Sequence, residues 1–117
     1  MNDDYAEVKD SGAREEFSTG AVRDTGAGKG RFDLLPYYPL ERLARHYENG
    51  ARKYDDNNWR KGIPLKRYKE SALRHLLKAV EGFTDEDHWA AAMWNIAGYL
   101  WTEKEISEGR LPKELAG

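Results

Sequence analysis

Two histidines thirteen residues apart each stand beside charge: Arg74 and Lys78 attend His75, and Asp85, Glu86 and Asp87 run directly into His88. Imidazole takes and releases protons near neutral pH, and beside a carboxylate it also ligates metals. If the chain is an enzyme, His75, Asp87 and His88 are the catalytic candidates, with a divalent ion between two imidazoles and a carboxylate generating hydroxide. A plainer reading competes. Acids at a helix start complement its positive end, and single histidines commonly serve as hydrogen-bonding residues, which leaves no resident metal and no cofactor. Asn95, two turns beyond His88, offers an amide either for a purine edge or for a hydrogen bond between helices.

A second cluster lies earlier, in Arg23-Asp24-Thr25-Gly26-Ala27-Gly28-Lys29-Gly30-Arg31-Phe32-Asp33. Glycines let backbone N–H groups approach a ligand, and Arg23, Lys29 and Arg31 suit phosphate. The stretch is not a Walker A loop, because Gly30 follows Lys29 where Ser or Thr would bind magnesium. Asp24 and Asp33 would repel phosphate unless they pair with cations, so they are expected to brace the loop, against Arg52 or Arg74 for instance. Lys53 and Trp59 complete the ligand-binding set of Arg23, Lys29, Arg31, Lys53, Trp59, Arg74, His75, Lys78, His88 and Asn95. Trp59 would stack on a base or plug the end of a helix bundle.

At 117 residues the chain makes one domain. Four Trp and seven Tyr suit a small helical domain whose aromatic surface serves association or stacking. The absence of cysteine rules out a disulfide frame and a thiolate nucleophile and suits a reducing cytoplasm. No apolar run reaches the roughly 18 residues of a membrane helix, and the polar N-terminus is unlike an export leader, so a soluble cytoplasmic protein is expected. Charge is unevenly spread: residues 1–19 carry six acids and two bases, 20–83 eight acids and fourteen bases, 84–117 seven acids and three bases. The acidic flanks argue against nucleic acid and for a compact phosphate-bearing partner.

The elements that would position these groups read as follows. Residues 1–19 form an acidic flexible arm, with helical turns at 5–9 or 13–17 at most, and 20–38 a Gly/Pro-rich basic segment. The helical domain spans 39–108. Its first helix starts near Pro39 and presents Leu40, Leu43, Ala44, Tyr47, Ala51 and Tyr54 on one face. The second runs over 65–81 to a stop at Gly82, burying Tyr68, Ala72, Leu76 and Ala79 with Leu73, Val80 and His75 at the edges. A third starts from Thr84 as N-cap and runs to Ser107, its core stripe Trp89, Ala92, Met93, Ile96, Ala97 and Leu100. Residues 109–117 form a loose tail. The fold class is therefore all-α, a small three-helix bundle with an N-terminal extended arm, completed by homo-oligomerisation through Trp94, Trp101 or the third-helix face.

Paired carboxylates of the kind that hold magnesium in all-α nucleotide pyrophosphohydrolases are missing from facing helices; Glu105 and Glu108 have the spacing but sit at the far end of the third helix. Arg23-Asp24, Gly28 to Leu35, Gly50-Ala51-Arg52-Lys53-Tyr54 with Asn58-Trp59 and Gly62, Arg74-His75, Asp87-His88 and Asn95, in that order, resemble a family of small bacteriophage proteins labelled dATP/dGTP diphosphohydrolase, N-terminal domain. The resemblance covers residues 20–105. It implies a phage origin, hence the host cytoplasm, and a nucleotide ligand, while the label implies hydrolysis. Ala91 and Ala92 stand where such proteins often place a further histidine, which weakens a metal site. Two functions are expected from this: capture of a purine nucleotide or of a nucleotide-derived host defence signal by sequestration, or a dATP/dGTP diphosphohydrolase-like hydrolase using a divalent metal.

Overall fold

The computed structural model describes residues 10 and 12–117, so expectations for 1–9 and 11 lie outside it. The chain divides into a unit ending at Leu35 and a second unit, Pro36–Gly117.

In the first unit, β1 (Arg14–Glu16) pairs antiparallel with β2 (Val22–Asp24), Arg14 opposite Asp24 and Glu16 opposite Val22. The described part of the expected arm is therefore a hairpin, and 13–17 is not helical. The reason lies in the connection. Gly20, at φ 88°, donates to Phe17 O at 2.8 Å, and Phe17 donates to Ala21 O at 2.9 Å, a reversal that requires a residue tolerant of positive φ. The Gly-rich stretch follows and ends in a single 3-10 turn at Phe32–Leu34.

The second unit is the three-helix bundle: α1 (Tyr37–Lys53), α2 (Leu65–Val80) and α3 (His88–Ser107). Pro36 and Pro64 stand immediately before α1 and α2, where a missing N–H costs nothing. A 3-10 turn at Asn58–Lys61 follows Asn57, which takes the left-handed conformation that Asn tolerates. Helices α2 and α3 pack antiparallel, with His75 meeting His88 at one end and Tyr68 lying on Gly98 nearer the other. A Cβ at Gly98 would overlap the Tyr68 ring, so the glycine sets how closely the two helices approach.

The buried faces differ from those the hydropathy pattern selects. On α2 the inner stripe is Leu65, Tyr68, Ala72, His75 and Ala79, whereas Leu73, Leu76 and Val80 are exposed. On α3 the buried residues are His88, Ala90, Ala91, Ala92, Asn95, Gly98 and Thr102, while Trp89, Ile96 and Leu100 lie outside. Small residues let the helix axes come close, and the large side chains cannot occupy that seam. On α1 the inner face is Arg42, Leu43, His46, Tyr47, Gly50 and Ala51, rotated from the expected stripe, so that Leu40, Ala44 and Tyr54 are exposed. Arg42 binding to Asp87 at the head of α3 fixes that rotation. Trp94 and Trp101 do not form an outward face: Trp94 lies 6.0 Å from the Tyr47 ring and 5.8 Å from Tyr68, and Trp101 lies 4.8 Å from Trp59.

Two further expectations change. The N-cap of α3 is Asp87, whose carboxylate accepts from Ala90 N at 3.1 Å, so Thr84, Asp85 and Glu86 precede the helix. The tail is docked rather than loose. Arg110 binds Glu105 (Nε to Oε2, 2.5 Å) and Glu108, Lys113–Ala116 forms a 3-10 turn against α2 and α3, and Leu111 and Leu115 cover Gly62. The Glu105 and Glu108 pair is thus taken up by Arg110. No described helix is long and apolar enough to cross a membrane.

Candidate functional site

Within the second unit, a cleft of about 750 Å³ opens between α1, the 58–61 turn, α2 and the head of α3. That volume is within the range of small-molecule sites. Four aromatic rings line it, those of Tyr47, Tyr54, Trp59 and Trp94, together with the amides of Asn49, Asn57, Asn58 and Asn95. Lys53 and Arg74 bring positive charge, Asp55, Glu86 and Asp87 negative charge, and His46 and His75 add titratable nitrogens. Such a lining offers flat surfaces for a base, donors and acceptors for its edge, and cations for phosphate.

The most organised part is a chain of three side chains. His75 Nδ1 lies 2.9 Å from His88 Nδ1, and His88 Nε2 lies 2.8 Å from Asp85 Oδ1. His88 is buried, 2% exposed, and its position one residue after the N-cap points the ring back into the α2–α3 seam. The tautomers follow from the donors and acceptors. Ionised Asp85 can only accept, so His88 Nε2 carries a hydrogen. With both imidazoles neutral, His75 Nδ1–H donates to His88 Nδ1, and the remaining lone pair of His75 is on Nε2. A proton arriving at Nε2 can be relayed, because the shared hydrogen moves to His88 and the resulting imidazolium rests against the Asp85 carboxylate. Burial pushes His75 below its ordinary 6.5, aided by Arg74 and the neighbouring imidazoles and opposed by Glu86, so the ring is neutral and basic at pH 7. The hydrogen bond from His88 holds Asp85 below its ordinary value.

The carboxylate in this chain is Asp85, not Asp87. Asp87 is engaged three ways: Arg42 grips it with Nε at 2.9 Å and a second bond from Nη2, and Ala90 N donates to it. Arg42, foremost, keeps the Asp87 carboxyl ionised to lower pH than usual. His46, one turn after Arg42 on the same face, stands 5.9 Å from Trp94, and burial lowers its pKa against the pull of Asp87 and Glu86.

The remaining residues singled out from the sequence fall into separate groups. Lys53, Trp59, Arg74, His75 and Asn95 all line the cleft. Trp59 also fills space, edge-on to Tyr47 at 5.8 Å and capped by Arg60, so it serves as plug as well as wall. Asn95 Nδ2 donates to Ala91 O within α3 at 2.8 Å, leaving its carbonyl oxygen as the polar group for a ligand. Arg74 Nη2 bonds Ser71 Oγ at 3.2 Å. His88 acts from behind His75, and Lys78 is outside the lining. Arg23, Lys29 and Arg31 belong to the first unit, where Lys29 pairs with Asp24 at 2.9 Å and Arg31 with Asp33 through bonds of 2.8 and 2.7 Å. The bracing of those acids is local; Arg52 binds Glu48 instead. Arg42 and His46 were not singled out from the sequence, and Asp85 was named beside His88 but not chosen as the carboxylate. Arg42 and Asp87 are 45 positions apart and carry no local signal, whereas Asp85 to His88 is an i, i+3 pair readable in principle.

Asp85, Glu86 and His88 each bring a potential ligand atom within 4.8 Å of the others. Both nitrogens of buried His88 are already bonded, so a cation held by these three residues would take the place of the link to Asp85 or to His75.

The second unit is thus a helical bundle with an aromatic, cationic and amide-lined cleft. The family model described as dATP/dGTP diphosphohydrolase, N-terminal, matches residues 19–110, and the chain belongs to that family. No curated protein and no solved structure matches it.

Proposed function

We propose that the cleft binds a purine deoxynucleotide and that His75 accepts the proton of a water attacking its phosphate chain. The Asp85–His88–His75 chain ending at the cleft carries this reading. In the step, water oxygen bonds to phosphorus and its proton passes to His75 Nε2. The phosphoanhydride bond breaks, the leaving phosphate oxygen keeps the bonding pair, and Arg74 offsets the charge. The aromatic rings hold the base and Lys53 reaches the phosphates, while the family description supplies the purine preference.

Sequestration is the second reading, and one observation favours it: Asp87, a carboxylate lining the cleft, is committed to Arg42 and to the helix cap, which leaves Asp55 and Glu86, on separate loops rather than paired on facing helices, to manage a magnesium–nucleotide complex. A phage role and a defence signal as ligand belong to this second reading. One experiment separates the two. The protein is incubated with deoxy- and ribonucleotides, with and without magnesium, then denatured, and the released small molecules are weighed by mass spectrometry. Nucleotide shortened over many turnovers, abolished by His75→Gln, supports hydrolysis. Intact nucleotide returned in stoichiometric amount establishes capture, and an empty protein removes both readings.

A further inference from the structure

Helix α3 is apolar nearly all round, and α1 and α2 together cover only part of its circumference. Its inner side meets α2 through alanines, Gly98 and buried polar residues. Outside stand Trp89, Ile96 and Leu100, at i, i+7 and i+11 on one stripe. The adjoining helix repeats the pattern with Leu73, Leu77 and Val80 at i, i+4 and i+7. Across the α2–α3 groove Ile96 and Leu100 border Lys69 and Ala72, and Leu73 follows Ala72 on α2. All six side chains are 48–66% exposed. Together they leave on the order of 700 Å² of apolar surface, close to the roughly 800 Å² that each partner contributes to a standard interface. A patch of that size is larger than monomers ordinarily leave in water.

We propose that this α2–α3 face is the interface of a symmetric dimer, its occupant a second copy of the chain. In a two-fold contact a patch meets itself, so charge of one sign within it would repel. These six residues carry none, and the charged residues one turn along the stripes are of both signs: Lys69, with its ammonium 5.5 Å from the centre of the Tyr99 ring, and Glu70 beside Leu73, Glu103 and Lys104 beside Leu100. Pairing covers the part of α3 that α1 and α2 leave open, as a helix apolar around its circumference needs. His75, on the inner stripe of α2, lines the cleft and is not part of the patch, so the proposal is independent of what the cleft binds.

Sedimentation of the full chain at tens of micromolar tests it. The expected mass is twice 13.5 kDa. Ile96→Lys with Leu100→Lys, and separately Leu73→Lys with Leu77→Lys, are expected to sediment as single chains with the helical circular dichroism of the parent. Two pairs on different helices keep the test open if one fails to fold. A parent protein that sediments as a single chain, or a dimer that survives both lysine pairs, overturns the proposal.

Discussion

The Gly-rich stretch and the cleft both gather charge and polar groups, but by opposite means. In the stretch, partners are neighbours in sequence: Arg31 finds Asp33 two residues away and Lys29 finds Asp24 five away, in exposed pairs. In the cleft, Lys53, Trp59, Arg74, His75, Trp94 and Asn95 arrive from three helices and a turn. Local pairing neutralises cations in advance, and exposed pairs are screened and weak. Long-range convergence instead leaves Lys53 and Arg74 without carboxylate partners among the described contacts, at the wall of a shaped space. Motif density in the sequence therefore marks the louder region, and convergence of helices builds the cleft.

The sharpest way to break the contrast is at His75. His75→Gln keeps the volume and a polar end but cannot accept a proton, so turnover falls by about 10²–10⁴-fold while nucleotide affinity is retained. Rate measurement beside equilibrium binding reads the split. The pH profile sharpens the same point. Burial depresses the His75 pKa, so the basic form fills as pH rises through a value below 6.5, and the rate climbs there and is level by neutrality. A profile still rising well above neutrality would remove His75 as the base.

Next in size is Gly98→Ala. On propensity alone alanine favours a helix, but its Cβ overlaps the Tyr68 ring, so thermal or urea unfolding is expected to show a loss of about 1–3 kcal/mol. A smaller effect follows from Asp87→Ala, which removes the α3 cap and costs about 1 kcal/mol by the same measurements. Its acid dependence has a definite sign. Because Arg42 depresses the Asp87 pKa, this contribution is complete above the ordinary 3.8 and fades as pH falls below it through the folded value. The smallest effect is expected in the first unit: Lys29→Ala with Arg31→Ala should leave nucleotide affinity within about threefold, since both cations are already paired with local acids. A large loss of affinity on titration would reinstate the stretch as a phosphate anchor.

Helix existence, the breaks at Gly62 and Gly82, and the all-α class were legible because Pro, Gly and apolar periodicity act locally. The inward face of each helix was not. Trp89, Ile96 and Leu100 read as core by hydropathy, yet the seam belongs to Ala91, Ala92, Asn95 and Gly98, because close packing of helix axes selects size over hydrophobicity. The site divides in the same way. His75, His88, Arg74 and Asn95 could be named from residue type, whereas the choice of Asp85 over Asp87 could not. Asp87 is drawn away by Arg42, 45 residues upstream, a partner no spacing rule reaches.

The sequence by itself determined which segments become helices and which side chains are capable of proton transfer, since backbone propensity and functional groups are properties of each residue. Only the tertiary structure decided which faces meet and which acid joins the two imidazoles. Those outcomes depend on axis distance and long-range pairing, and they exist only once α1 and α2 have closed on α3.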